Sequence, residues 1–320
     1  MKALVTGGGG FVGSHLAAHL AELGNEVRIL DNFATGRRSN LQALPEEIEL
    51  VEGDIQSYER VHNAVVGCEV VFHQAALPSV PRSVQDPLTS NATNITGTLN
   101  VLLAARDAGV RRVLFSSSSS LYGAGLEMPK REDMRPEPIS PYAVAKVACE
   151  GYCRSFGDVY GLETVCLRYF NIFGPRQDPM SQYSAVIPNF ITALLAGERP
   201  TVFGDGEQSR DFTYVQNVVE ANLQAMDAQG VAGQAFNVAY GERTTLNQLL
   251  DELRELLGTD IEAEFAASRP GDVPHSWADC SRAQEAFGYQ PEIGLREGLR
   301  RTIEYYEAEG LPATEIAPAR

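Results

Sequence analysis

Positive charge is in short supply in this sequence. Twenty-six lysines and arginines face 42 aspartates and glutamates, for a formal net charge of −16 and a pI near 4.8. Such a chain is repelled by nucleic acid and by anionic membranes, so neither is expected as a partner. An anionic ligand would have to be held by individual arginines and helix N-termini against the general field. Cysteine is scarce as well. Five residues, an odd number without zinc-type spacing, argue against a disulfide framework. Cys149 and Cys153 can share a helix face, where packing accounts for them better than metal or redox chemistry. No apolar run approaches membrane-spanning length, and Lys2–Thr6 is too short for a signal-peptide core, so the cytoplasm is the expected compartment. Repeats and long linkers are missing too. What remains is an ordinary globular composition, 44% hydrophobic and 21% charged, long enough at 320 residues for one large or two smaller domains.

The first 31 residues read as strand, glycine turn, helix, strand, acid. Lys2 to Thr6 forms a buried strand and Gly7 to Gly13 a glycine-rich turn. An apolar-periodic helix (Val12, Leu16, Leu20, Leu23) ends near Gly24, and Glu26 to Leu30 forms a second strand closed by Asp31. Gly7, Gly10 and Gly13 let the backbone turn tightly, approach a pyrophosphate and pack helix on sheet. The helix N-terminus, from Phe11 and Val12, then faces the phosphates. Asp31 stands where a carboxylate accepts from both ribose hydroxyls and repels a 2′-phosphate, which favours NAD over NADP. Arg37 and Arg38 keep the NADP reading open. His15 and His19 have i,i+4 spacing but no glutamate between them, so a helix-surface position is expected rather than zinc.

Strand and helix then alternate, as in an α/β doubly wound parallel sheet. Ile48–Val51 is a short strand. Asp54, after it, can bond an adenine amino group or cap the helix starting near Ser57. Glu69–His73 is the next buried strand, opening into the small residues Gln74-Ala75-Ala76, where backbone can lie against a cofactor. Pro78–Ser83 reads as a loop, followed by a helix through Asn94 to Ala108. Arg111–Phe115 is a strand that ends in five serines, Ser116 to Ser120. A serine run is often a linker, but this one follows a buried strand, where open parallel sheets place their ligands.

Ser140-Pro141-Tyr142-Ala143-Val144-Ala145-Lys146 opens a helix: serine caps, proline suits the first turn, and Tyr142 and Lys146 share one face. A unit charge at ~4 Å is worth roughly 4 kcal/mol at an effective dielectric near 20, about three pKa units. A phenol beside an ammonium can thus be brought from about 10 towards 7, where general base catalysis is efficient. The plain alternative is an amphipathic helix with a buried tyrosine and a solvated lysine.

Three features together, Thr6-Gly7-x-x-Gly10-x-x-Gly13, the serines before Tyr122-Gly123, and Tyr142-x-x-x-Lys146, resemble an extended short-chain dehydrogenase/reductase. The chain is most similar to UDP-hexose 4-epimerases, and among them to the bacterial UDP-N-acetylglucosamine group. Ala75–Arg82, Ser90–Thr98, Leu167–Gly174, Gly204–Phe212 and 269–276 carry this likeness, which spans nearly the whole chain. The resemblance implies a Rossmann sheet with a smaller C-terminal α/β substrate domain. Residues 1–168 with parts of 210–240 would bind NAD, and 169–209 with 241–320 the UDP-sugar. It also implies a reaction. The tyrosine takes the 4-hydroxyl proton while hydride passes from carbon 4 to NAD; the 4-keto sugar turns its other face, and hydride returns. Ser118 matches the catalytic serine beside Tyr142 and Lys146, and Ser119 a neighbouring substrate contact. Asn32, Asp54, Ile55, Gln74, Ala75, Ala76, Asn94 and Tyr169 match cofactor contacts, and Lys146 a nicotinamide-ribose contact. A homodimer through the helices near 94–108 and 142–156 is implied as well.

On the substrate side the resemblance implies Ser79 as a substrate contact, Asn171 at the sugar–pyrophosphate end, and Ala185 and Val186 at a uracil-facing turn. It places Thr201 to Phe203 in a strand beside the base. Arg210 and Arg269 would clamp the pyrophosphate, and Asp272 would meet a ribose. Ser276 stands where a bulky residue, often tyrosine, excludes an N-acetyl arm, so serine implies that N-acetylated sugars enter. Pro78 replaces a lysine common in the UDP-glucose enzymes and again follows the N-acetyl group. Thr244–Leu257 reads as an amphipathic helix capped near Thr245, and the polar tail from Glu309 as frayed. A UDP-glucuronate 4-epimerase or decarboxylase stays open through Arg82. A 4,6-dehydratase would need carboxylates where Ser119 and Ser120 stand. A catalytically dead NAD-sensing regulator would have lost Tyr142 or Lys146, and both are present.

Overall fold

The computed structural model describes residues 1–42, 44–179, 185–268 and 273–309. The apolar run at the N-terminus forms β1 (Lys2–Thr6), and the glycine turn leads into α1 (Phe11–Glu22). Next come β2 (Glu26–Asp31), β3 (Glu49–Glu52), α2 (Tyr58–Val65) and β4 (Val70–His73). Three helices follow: α3 (Val80–Gln85), α4 (Pro87–Asn91) and α5 (Gly97–Asp107), the last two joined by a π-type turn over Ala92–Thr96. β5 (Arg112–Ser118), α6 (Pro141–Tyr160) and β6 (Glu163–Tyr169) continue the alternation. Beyond these lie β7 (Ile172–Phe173), α7 (Val186–Leu195), β8 (Thr201–Phe203), β9 (Ser209–Arg210) and β10 (Thr213–Tyr214). Then come α8 (Val215–Asp227), β11 (Gln234–Val238), β12 (Thr244–Thr245), α9 (Leu246–Leu257) and β13 (Glu264–Ala266). β14 (His275–Ser276), α10 (Ser281–Phe287) and α11 (Leu295–Glu309) complete the order.

Seven parallel strands form the main sheet in the order β11-β6-β5-β4-β1-β2-β3. The strand order reverses between β1 and β4, which is where open α/β sheets leave a ligand crevice. The alternation of side chains along β1 divides the core. Ala3 and Val5 pack with Leu16, Leu20, Val218 and Val219 on one face, and Leu4 packs with Val61, Leu102, Cys149 and Cys153 on the other. A third cluster joins α7, α9 and α11 through Phe190, Leu249, Leu253, Leu299 and Ile303. Register brings the strand ends level: Thr6 pairs with Leu30 and His73, His73 with Phe115, and Ser118 with Tyr169.

The packing role expected for Cys149 and Cys153 is met, since both are fully buried. Three local expectations are corrected. Residues 80–83, read as loop, belong to α3, because Ser79 Oγ accepts from Arg82 N and Pro81 tolerates the first turn. The strand read as Arg111–Phe115 runs further: Ser116, Ser117 and Ser118 stay in β5 and only Ser119 onward turns into a 3-10 helix, Ser119–Tyr122. His15 is half-buried rather than on the open helix surface. Its Nε2 lies 2.8 Å from Pro175 O, and burial lowers its pKa to about 4. Glu309 ends α11, and the tail beyond it lies outside the described residues. Among the described residues no helix is long and apolar enough to cross a membrane, and no group of three metal-ligating side chains occurs.

Candidate active site

The glycine turn is shaped by what a side chain would strike. A Cβ on Gly7, which has φ 73°, would lie 2.6 Å from Ala75 N, and one on Gly13 would lie 2.2 Å from Gly7 O. Gly10 caps α1 without a side chain, so the first-turn N–H groups of Phe11, Val12 and Gly13 receive no cap from that residue. A bare helix start at a backbone cradle fits a pyrophosphate. Asp31 closes the turn: its carboxylate accepts from Gly9 N at 2.8 Å and Phe33 N at 2.7 Å. Burial raises its pKa, while those N–H groups oppose the rise. These N–H groups do not use up the carboxylate's acceptor capacity, and what is left suits ribose hydroxyls. The NADP alternative loses ground here. Arg38 pairs with Glu52 and lies 4.2 Å over the Phe33 ring, and Arg37 reaches Asp178 at 3.5 Å.

The other expected cofactor residues line up along the same strand ends. Asn32 Nδ2 donates to Asp54 Oδ2 at 2.9 Å. The other Asp54 oxygen accepts from Gln56 N at 2.8 Å, while Ser57 caps α2. Ile55 is buried against α5, where a Cβ on Gly97 would strike it. Ala75 N meets Thr6 Oγ1 at 3.3 Å, and Ala76 continues the same turn. Asn94 holds that turn by its amide, accepting from Leu77 N at 2.7 Å and donating to Leu77 O at 3.1 Å. Tyr169 shares its hydroxyl with Gln74 at 3.1 Å and Asn222 at 2.9 Å, and burial pushes its pKa up to about 12.

Lys146 is buried on the first turns of α6. Its Nζ donates to Ser116 O at 2.5 Å, lies 4.8 Å over the Phe115 ring and stands 5.6 Å from the Tyr142 ring centre. Helix and strand are thus joined two residues before Ser118. One turn on, Glu150 accepts from Ser117 Oγ at 2.5 Å and pairs with buried Arg168 at 2.8 Å. Ser118 Oγ accepts from Ser120 N at 3.2 Å, and the Ser120 hydroxyl is buried without a partner. Tyr142 and Lys146 thus stand in the first turns of α6, which Lys146 ties to the strand that ends in Ser118.

Six residues expected on the substrate side, Asn171, Ala185, Val186, Thr201, Phe203 and Arg210, line one cavity of about 290 Å³. Phe190, Phe212, Gln208 and Leu246 are among the other residues of its wall, and none of them was singled out as a site residue in the sequence. Ser276 is not in the wall but pairs with Arg210 in register. Ser79, Ser118, Ser119 and Tyr142 lie outside this cavity. Arg269 and Asp272 lie outside the described residues. A second cleft of about 550 Å³, lined by Trp277, Cys280 and Tyr289 among others, holds none of the expected residues.

Asp211, which the sequence did not single out, pins the segment carrying Ser276. Its carboxylate accepts from Tyr240 N at 3.0 Å, Gly241 N at 3.1 Å and Ala278 N at 3.1 Å, and burial pushes its pKa up to about 7.

Comparison with known proteins agrees with this geometry. Residues 3–239 match the NAD dependent epimerase/dehydratase family. A UDP-glucose 4-epimerase of Mycolicibacterium smegmatis is 40% identical over 310 residues, covering 96% of this chain and 98% of its own. The solved UDP-glucose 4-epimerase of Thermotoga maritima with UDP-glucose aligns with a TM-score of 0.93 at 40% identity, over 97% of this chain and 99% of that one. The UDP-N-acetylglucosamine 4-epimerase of Methanobrevibacter ruminantium M1, in complex with UDP-N-acetylmuramic acid, aligns with a TM-score of 0.92 at 40% identity, over 96% and 98%. A sheet that ends in a dinucleotide cradle, likenesses that run the length of the chain and a matched family region over most of it lead to one statement: the chain belongs to the NAD-dependent epimerase/dehydratase family, as an enzyme of its UDP-sugar epimerase group with NAD as cofactor.

Proposed function

We propose that this enzyme interconverts UDP-N-acetylglucosamine with UDP-N-acetylgalactosamine, and UDP-glucose with UDP-galactose, by epimerisation at carbon 4. The observation that carries the substrate choice is Ser276, a small side chain in register with Arg210 at the edge of the nucleotide cavity. A serine there leaves the volume that an N-acetyl arm needs. Relatives named for both UDP-glucose and UDP-N-acetylglucosamine support the dual range.

In this reading the cradle of Gly7, Gly10, Phe11, Val12 and Gly13, with Asp31, Asn32, Asp54, Ile55, Gln74, Ala75, Ala76, Asn94, Lys146 and Tyr169, holds the dinucleotide. NAD, when bound, supplies reversible oxidation of carbon 4. Tyr142 takes the 4-hydroxyl proton and returns it, and Ser118 orients or relays it. Lys146, tied to Ser116 O, keeps positive charge beside the phenol. Ala185, Val186, Thr201 and Phe203 flank the base. Arg210 and Arg269 hold the pyrophosphate, Asp272 the ribose, and Asn171, Ser79, Ser119 and Ser276 the sugar end. Residues 1–168 with parts of 210–240 form the NAD domain, and 169–209 with 241–320 the substrate domain.

A homodimer belongs to the same reading. Val144, Tyr152 and Val159 are exposed along one face of α6, and Val84 and Leu88 of the adjoining α3 and α4 are 63% and 83% exposed, an apolar surface suited to a second copy. Five free cysteines support a cytoplasmic location.

The deciding experiment incubates purified protein, without added cofactor, with UDP-N-acetylglucosamine, UDP-glucose and UDP-glucuronate, and separates the products by anion exchange. Conversion of the first two is expected. Turnover of UDP-glucuronate alone, or of UDP-glucose alone, would reject the reading.

A further inference from the structure

Tyr142 is held from outside its own helix. The first turn of α6 has two backbone N–H groups to satisfy, because Pro141 has none and Val144 N already bonds Ser140 O at 2.9 Å. Ala143 N is met within the helix start by Ser140 Oγ at 3.2 Å. Tyr142 N is met by Ser83 Oγ at 3.1 Å, from 59 residues upstream. Ser83 is 1% exposed and donates its own proton to Val80 O at 2.7 Å. Its hydroxyl therefore presents a lone pair to Tyr142, and the bond has one direction.

Ser83 belongs to α3, which begins at Ser79. That residue has φ 95° and ψ 117°, a region costly for any residue with a side chain. Two bonds keep it there: its Oγ accepts from Arg82 N and its carbonyl accepts from Ser83 N, both at 3.2 Å. A strained residue expected to contact substrate is thus two direct hydrogen bonds from the backbone of Tyr142.

We infer that Ser83 is a positioning residue: it passes the setting of the Ser79 segment to the backbone of Tyr142 and fixes where the phenol stands over carbon 4. The inference rests on the UDP-sugar 4-epimerase reading. A purely structural hydroxyl would affect folding and NAD retention alike, whereas a positioning hydroxyl acts on turnover.

The test compares full-length Ser83→Ala and Ser83→Thr, both with bound NAD, on the UDP-sugar that the wild type converts best. Losing one hydrogen bond should lower kcat by roughly 3- to 10-fold in the alanine variant. KM and bound NAD should stay at wild-type levels, and amide exchange at Tyr142 should speed up. The threonine variant, which keeps the hydroxyl, should recover most of the rate. An alanine variant as fast as wild type overturns the inference. So does one that loses NAD and thermal stability in step with turnover, or a threonine variant as slow as alanine. If the wild type epimerises no UDP-sugar, the functional reading fails instead, and the Tyr142 exchange rate still decides the contact.

Discussion

Ser276 is the register partner of Arg210, in the short parallel pairing of β14 with β9. Arg210 Nη1 is turned onto the carbonyls of Ser209 and Pro274, at 2.9 and 3.3 Å, so its side chain is oriented by the strand pair itself. A group that grows at position 276 therefore grows beside an oriented guanidinium. Ser276→Tyr should fill that space and suppress conversion of UDP-N-acetylglucosamine while sparing UDP-glucose. Exclusion of a group by sterics in a packed site is worth about 1–3 kcal/mol, or roughly 10- to 200-fold in the ratio of kcat/KM values. Equal loss on both substrates would show that residue 276 shapes a loop and does not select the sugar.

Among the described residues, Tyr142 is the tyrosine whose ring lies beside Lys146, 5.6 Å from its Nζ. Tyr122, just beyond β5, is buried with its hydroxyl on Asn237 and Arg168, and burial pushes its pKa up to about 12, while Tyr152 and Tyr160 further along α6 are exposed. Tyr142→Phe should therefore lose the proton-transfer contribution, on the order of 10²–10⁴-fold in kcat. NAD content and UDP binding, read by absorbance and calorimetry, should stay unchanged. Near-normal turnover in this variant would remove Tyr142 from the mechanism.

The parts of the site visible in the sequence are those whose reasons are local. Gly7, Gly10 and Gly13 show because a tight turn needs them at short spacing, and Ser140-Pro141 because capping acts within four residues. Tyr142 and Lys146 show because a helix repeats every 3.6 residues. Asp211, Asn222 and Ser83 were not visible. Each makes a contact across 53 to 67 residues of sequence: Tyr169 with Asn222, Tyr142 with Ser83 and Ala278 with Asp211. No periodicity announces such a contact. α3 was hidden for a different reason: two prolines and a serine read as loop until Ser79 is seen capping it.

Gly13 faces the carbonyl of Gly7 so closely that a methyl group cannot be accommodated by side-chain motion. Gly13→Ala should open the cradle by displacing backbone, and protein purified from this variant should carry far less NAD. The check is the ratio of absorbance at 260 and 280 nm, with enzymatic assay of the released dinucleotide. Full NAD content in the variant would mean that the turn does not hold the cofactor.

His73 sits at the centre of a directed chain. Thr98 Oγ1 donates to Asn94 O at 2.6 Å, so it accepts from His73 Nε2–H at 2.9 Å. Nδ1 is then the acceptor for Thr6 Oγ1 at 2.7 Å. The chain needs the neutral ring, and full burial lowers its pKa to about 3. A base whose folded pKa lies below its unfolded value near 6.5 contributes stability above pH 6.5 and loses it as pH falls towards 3. His15, also depressed, adds in the same sense. Asp211 acts in the opposite sense, since a carboxyl raised to about 7 gains relative stability as pH falls towards 4. The wild type and His73→Gln share both of these groups, so they drop out of the difference between the two proteins. The destabilisation caused by His73→Gln, measured by urea unfolding, should therefore shrink by about 2 kcal/mol between pH 7 and pH 5. A difference that stays constant over that range would mean that His73 takes up a proton in the folded protein, with Nδ1–H then donating to Thr6 Oγ1 and the Thr98 bond unchanged.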